Sequence, residues 1–211
     1  MAETSGRITL ARRASAEMEE KKSIFIGTAA PVTSEEEARK FIAEMRRKYH
    51  DASHNVYAYI LNGGAIARYS DDGEPQGTAG VPVLNVLKMS GATDLCVVVT
   101  RYFGGVLLGA GGLVRAYSAS AKLAIDTAGV VTMADYAILS VRVSYSDYQK
   151  VTVQLPKIGV TEDAADFDEA VTIRAGVSAE RVDEITGILT ELTGGRVSVD
   201  VIGHEERPHI G

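Results

Sequence analysis

Two glycine-rich stretches hold the charged side chains of this sequence that could act together. The first, RYFGGVLLGAGGLVRAYS, runs from Arg101 to Ser118. It sets Gly104, Gly105, Gly109, Gly111 and Gly112 between Arg101 and Arg115, with Tyr102 beside the first arginine. The second, DDGEPQGTAG, starts at Asp71 and joins the carboxylates of Asp71, Asp72 and Glu74 to Gly73, Gln76, Gly77 and Thr78. Glycine at this density lets backbone amides approach an anion and take the positive φ that a phosphate cradle needs. Arginine adds planar, charge-assisted donors. Neither stretch is a standard nucleotide loop. No G-x-x-x-x-G-K-[ST] string occurs, and after Gly109 and Gly111 valine stands at 114, where G-x-G-x-x-G needs glycine. The same glycines would serve equally to let the chain turn tightly against a core. The three carboxylates could hold Mg²⁺ beside a substrate phosphate. The favoured reading is an Asx-turn with a salt bridge to Arg101 or Arg115 that locks the two loops together.

The elements that must position these residues are legible from periodicity. LCVVVTRY, which runs into the first stretch, is a continuous β-branched run and predicts a central strand buried on both faces. A helix is predicted over 111–128, so the glycines fall where free N–H groups at a helix start attract anions. Ser34 and Glu37 form a capping box, and Ala38, Phe41, Ile42, Met45 and Tyr49 follow helical spacing. HNVYAYILNGGAIARYS reads as a hairpin turning at Asn62-Gly63-Gly64, and a short helix is predicted over 80–90. Upstream, strands at 7–10 and 23–28 flank a charged stretch. From about 134 the predicted order is strand, helix, strand, strand, helix, strand, the split βαβ pattern. The expected division is a first domain over 1–134, a βαββαβ domain over 135–205 and a loose tail over 206–211.

Composition narrows the function classes. Residues 1–134 hold fifteen Lys and Arg against fourteen Asp and Glu; residues 135–211 hold seven against fourteen, which together give the net −6. That balance argues against non-specific nucleic-acid binding by the whole surface and leaves room for a local basic site. The single cysteine, Cys96, reads as a small core hydrophobe and points to a reducing compartment. His50 and His54 are four apart, but a strand begins between them, so no metal site is expected. Arg39, Lys40, Arg46, Arg47 and Lys48 make a basic stretch in a half that also holds Tyr49, Tyr57, Tyr59, Tyr69 and Tyr102. Such a run is either a solvated helix face or, with aromatics for stacking, part of a nucleic-acid surface. No G-x-S-x-G elbow, secretory h-region or membrane-length apolar run occurs, so a cytoplasmic location with no membrane partner is expected.

ARYSDDGEPQGTAGVPVLNVL and VVVTRYFGGVLLGAGGLVRAYS together resemble the signature of the IMPACT/YigZ family, and KKSIFIG and DASHNVYAYI resemble it at the matching places. The resemblance covers nearly all of 20–130. It implies an α+β protein. Its first domain would be a ribosomal-protein second-domain-like α/β fold, as in elongation factor G domain IV and GHMP-class kinases. Its second would be ferredoxin-like, as in elongation factor G domain V. Eukaryotic relatives regulate translation partly through an additional RWD domain, for which this chain has no room, so that role is not carried over. The expectation is a non-catalytic, regulatory binding protein that meets RNA, the ribosome or a translation factor and uses no cofactor. Arg101, Tyr102, Arg115 and the loop glycines would contact phosphate, with Lys22 and His54 in support. The alternatives are a nucleotide- or phosphate-dependent enzyme of GHMP-like phosphoryl transfer, and a protein-interaction scaffold.

Overall fold

A computed structural model describes residues 6–208. The chain divides into two compact units, Arg7–Thr132 and the chain from Met133 onward, each mixing helices with an antiparallel sheet.

In the first unit β1 (Ile8–Leu10) pairs with Val130–Thr132. The main sheet holds β2 (Ala14–Glu20), β3 (Ser23–Pro31), β4 (His54–Leu61), β5 (Ile66–Ser70) and β6 (Leu95–Tyr102), in the order β2-β3-β6-β4-β5. β6 is the centre, buried from Leu95 through Arg101, as its apolar run predicts. Its Cys96 and Val98 pack with Phe41, Ile42 and Met45 of α1 (Glu35–Lys48). Leu95, Val97 and Val99 take the other face, toward α2 (Gly80–Met89) and α3 (Ala110–Ala128). Each fully buried Val or Leu side chain contributes about 1.5–3 kcal/mol. Burial pushes the Cys96 thiol up, which keeps it an inert core group.

Ser34 caps α1, its hydroxyl accepting from the Glu37 amide at 3.2 Å. The Glu37 carboxylate reaches back to the Thr33 amide at 2.7 Å, so the box closes one residue earlier than the sequence pattern implies. α3 lies very close to β3. A Cβ at Gly27 would stand 2.9 Å from the Ala124 Cβ and against the Ser120 carbonyl, so only glycine fits.

The charged stretch between the first two predicted strands is itself a strand. In β2, Ala14, Ala16 and Met18 turn partly inward, while Glu17 and Glu19 face water. A two-residue turn of Lys21 and Lys22 joins β2 to β3, with φ of 48° and 66°. Both residues sit in the left-handed region that glycine or asparagine normally fills in such turns.

The second unit takes the rest of β7 (Val130–Val143), then α4 (Tyr145–Gln154), β8 (Thr161–Phe167), β9 (Val171–Ser178), α5 (Val182–Thr193) and β10 (Ser198–Pro208). The sheet order is β10-β7-β9-β8, every neighbour antiparallel. Leu139, Val141, Ile173 and Ala175 pack with Val151, Leu155, Ile185 and Leu189. The Asp147 carboxylate accepts both Nε and Nη2 of Arg196 at 3.0 Å. Ser144 caps α4 through the Asp147 amide. Glu206–Pro208, expected in a loose tail, instead finish β10 opposite Met133–Asp135, and Arg207 bridges to Asp163. Residues 209–211 lie outside the described residues. Among the described residues no helix is long and apolar enough to cross a membrane.

Candidate functional site

Register across three strands builds the floor of the site. Phe25 of β3 and His54 of β4 both stand opposite Arg101 of β6, so the three form one row. Arg101 continues the Val97, Val99 face that packs toward α3. It is 5% exposed, and Glu74, reaching over it from the 71–79 loop, is 8% exposed. Arg101 Nη1 donates to Glu74 Oε1 at 2.6 Å, and Tyr117 of α3 donates its hydroxyl to the same oxygen at 2.7 Å. Burial, then the bond to Glu74, pushes the Tyr117 phenol far above its ordinary value, so it remains a donor. Arg101 Nη2 reaches Ser23 Oγ at 3.3 Å, and the guanidinium lies 5.5 Å from the Phe25 ring and 5.6 Å from that of Phe103. Its Nε is buried without a partner.

The two arginines of the first stretch therefore differ. Arg101 is an internal partner of Glu74, not a surface cation. Arg115 is exposed and pairs with none of the three carboxylates. It curls toward the start of α3, 3.6 Å from where a Cβ would sit on Gly111. Asp71 accepts from the amides of Gly77 at 2.9 Å, Ala79 at 3.1 Å and Gly80 at 2.7 Å, capping α2 from outside the helix. Asp72 accepts from Arg46 and from the Asn55 amide, each at 2.6 Å. Thr78 donates its hydroxyl to the Pro75 carbonyl at 2.6 Å, while Gln76 is exposed. Tyr102 points to the other face of β6 and donates to Asp51 at 2.8 Å. Among the described residues no group of His, Cys, Asp and Glu is arranged to hold a metal ion.

The glycines divide as well. Gly104 has no room for a side chain: a Cβ there would fall on the Lys22 carbonyl. Its amide donates to Ser23 Oγ at 3.2 Å, so the Lys21–Lys22 turn and the glycine loop are interlocked. Gly105 and Gly109 have positive φ, 82° and 73°. Gly109 caps α3 with no side-chain bond, and the first α-helical amide to find a partner is that of Leu113. Gly111 and Gly112 continue the bare first turn.

A cleft of about 460 Å³ opens between the two loops. His54, Glu74 and Arg101 form its polar floor, Phe103, Leu107 and Leu113 an apolar side, and Gly109 and Ala110 one edge. His54 Nδ1 lies 2.8 Å from the Asp72 carbonyl, which can only accept, so Nδ1 carries the proton. Nε2 stands 3.8 Å from Glu74 Oε1, too far for a hydrogen bond. Beyond Gly104, the Lys21, Lys22 and Arg115 side chains make no ion pair or hydrogen bond among the described residues. Sequence reasoning missed Ser23, Phe103 and Tyr117. Strand parity signals the burial of Arg101 and the facing of His54, whereas nothing in the sequence places a Tyr117 hydroxyl on Glu74.

The Impact N-terminal domain family model matches residues 21–125, and a domain of unknown function, DUF1949, matches residues 141–196. The chain is 37% identical to the IMPACT family member YvyE of Bacillus subtilis over 179 residues, 84% of this chain and 82% of that one. It is 31% identical to the IMPACT family member YigZ of Escherichia coli over 189 residues, 88% of this chain and 92% of that one. A crystal structure described as that of a hypothetical protein superposes with a TM-score of 0.58 at 30% identity, over 94% of this chain and 98% of that one.

Proposed function

We propose that this protein, which belongs to the IMPACT family, is a non-catalytic RNA-binding protein that works in translation, on free RNA or on the ribosome. One observation carries the reading. The three carboxylates of the 71–79 loop are all engaged within the fold, while Lys21, Lys22, Arg115 and the first amides of α3 are not. Asp71 caps α2, Asp72 holds Arg46, and Glu74 holds Arg101 and Tyr117. Lys21, Lys22, Arg115 and the first amides of α3 remain as donors without acceptors, the pattern a phosphate backbone fits. The left-handed lysine pair fits too, since backbone strain of this kind collects at functional sites.

On this reading the first unit is the ribosomal-protein second-domain fold of elongation factor G domain IV. The second is the ferredoxin-like fold of domain V, which the order β10-β7-β9-β8 supports. The same engagements weaken the phosphoryl-transfer alternative, because the acids that would hold a magnesium ion are already bonded. Sedimentation with ribosomes and binding to RNA at low salt test the proposal. The wild type should travel with ribosomes and lose affinity as salt rises. The triple variant Lys21→Ala, Lys22→Ala, Arg115→Ala should bind weakly. No association at low salt, or an unchanged triple variant, overturns it.

A further inference from the structure

We infer that the cleft takes one ribonucleotide unit of an RNA strand and distinguishes it from deoxyribonucleotide through His54. This rests on the RNA-binding reading and adds a specificity to it. The cleft combines three chemistries that a bare phosphate would not use. Phe103, 50% exposed, and Leu107, 82% exposed, offer an apolar wall on which a flat base can stack. The uncapped start of α3 supplies amides for an anion at the edge beside Gly109. The floor supplies an acceptor. In the neutral His54 ring, with the proton held on Nδ1 by the Asp72 carbonyl, Nε2 presents a lone pair. Its neighbour Glu74 can only accept, and the Arg101 Nη1 and Tyr117 hydroxyl donors are both spent on Glu74.

An acceptor there selects a ligand that brings its own O–H between a base and a phosphate. An internal phosphodiester has no proton to give. The ribose 2′-hydroxyl does, and it is the group by which a protein separates RNA from DNA. The volume, about 460 Å³, is that of a pocket for one small ligand, so a single nucleotide enters. The strand would continue beyond it over the separate small pocket that Lys21 and Arg115 line beside Gly112.

Fluorescence anisotropy with a labelled twelve-residue oligouridylate and its all-deoxy counterpart tests this. The ribose strand should bind about tenfold more tightly, as one hydrogen bond to an otherwise unfilled acceptor gives. His54→Phe should reduce the preference to less than about twofold, chiefly by weakening the ribose strand. Phe103→Ala should weaken both strands together. Free uridine 5′-monophosphate offers the same unit; if it displaces the oligomer at micromolar concentration, the ligand is a free nucleotide and the strand is overturned as its source. Equal binding of the two wild-type oligomers overturns the discrimination and leaves RNA binding standing. A ribose preference that survives in folded His54→Phe overturns the assignment to this cleft. No binding of either oligomer overturns both readings.

Discussion

Each unit of the molecule holds a buried carboxylate against an arginine, Glu74 with Arg101 in the first and Asp147 with Arg196 in the second, and these two pairs do different work. In the first, Glu74 and Arg101 are both sealed, their side chains 4% and 6% exposed. In the second, Asp147 is buried at 2% but its partner Arg196 is 61% exposed. Arg196 can stay in water and still bind bidentately, so the pair ties the start of α4 to the chain before β10. Arg101 has no such freedom. It continues an apolar strand face, so its charge must be met from above, and Glu74, itself held by Tyr117, meets it. A half-exposed pair can act as a clasp. A fully enclosed one fixes the shape of whatever opens beside it, here the floor of the cleft.

The largest effect should come from breaking the enclosed pair. Arg101→Met leaves Glu74 buried without its cation and should destabilise the first unit by about 3–5 kcal/mol in urea unfolding. The double variant Arg101→Met, Glu74→Leu should recover much of that loss; if it does not, the pair matters for more than mutual neutralisation. Gly104→Ala forces a methyl onto the Lys22 carbonyl and should lose about 1–3 kcal/mol, with a displaced lysine turn visible in amide shifts.

The clasp should show itself through pH. Arg196, then the Ser144 hydroxyl, holds the Asp147 carboxyl below its ordinary range. A depressed carboxyl stabilises the folded state above its unfolded value, and that contribution is lost as pH falls through the folded one. Acid unfolding of the second unit should therefore carry an Asp147-dependent part that Asp147→Asn removes. Smallest of all should be Arg115→Ala, with stability unchanged within about 0.5 kcal/mol. Its mark should be on RNA, a fall of about one in the slope of log affinity against log salt.

Much of this comparison was legible in the sequence, and the losses have physical reasons. The βαββαβ order, the β6 core strand and the α1 cap follow from periodicity and cap chemistry, which are local. β2 was hidden because Ala, Glu and Met favour helices, and only pairing with β3 makes an edge strand of them. The end of β10 was hidden because Glu206, Arg207 and Pro208 read as the start of a charged tail. At the site, the two loops were visible as partners from their residue types. Which arginine turned inward was set by β6 parity, and grouping Arg101 with the glycines that follow it obscured it. The Asp71 cap on three amides depends on the loop's closure, which spacing does not encode.

That closure also bears on how fast a ligand can bind. Asp71 gathers the amides of Gly77, Ala79 and Gly80 onto one carboxylate, and His54 holds the Asp72 carbonyl. The wall of the cleft is thus ordered before anything arrives, and little conformational freedom is left to lose on association. Binding should be a single second-order step without a slow rearrangement phase. The Gly77 and Gly80 amides should exchange with solvent as slowly as those of α2 itself, although they belong to a glycine-rich segment.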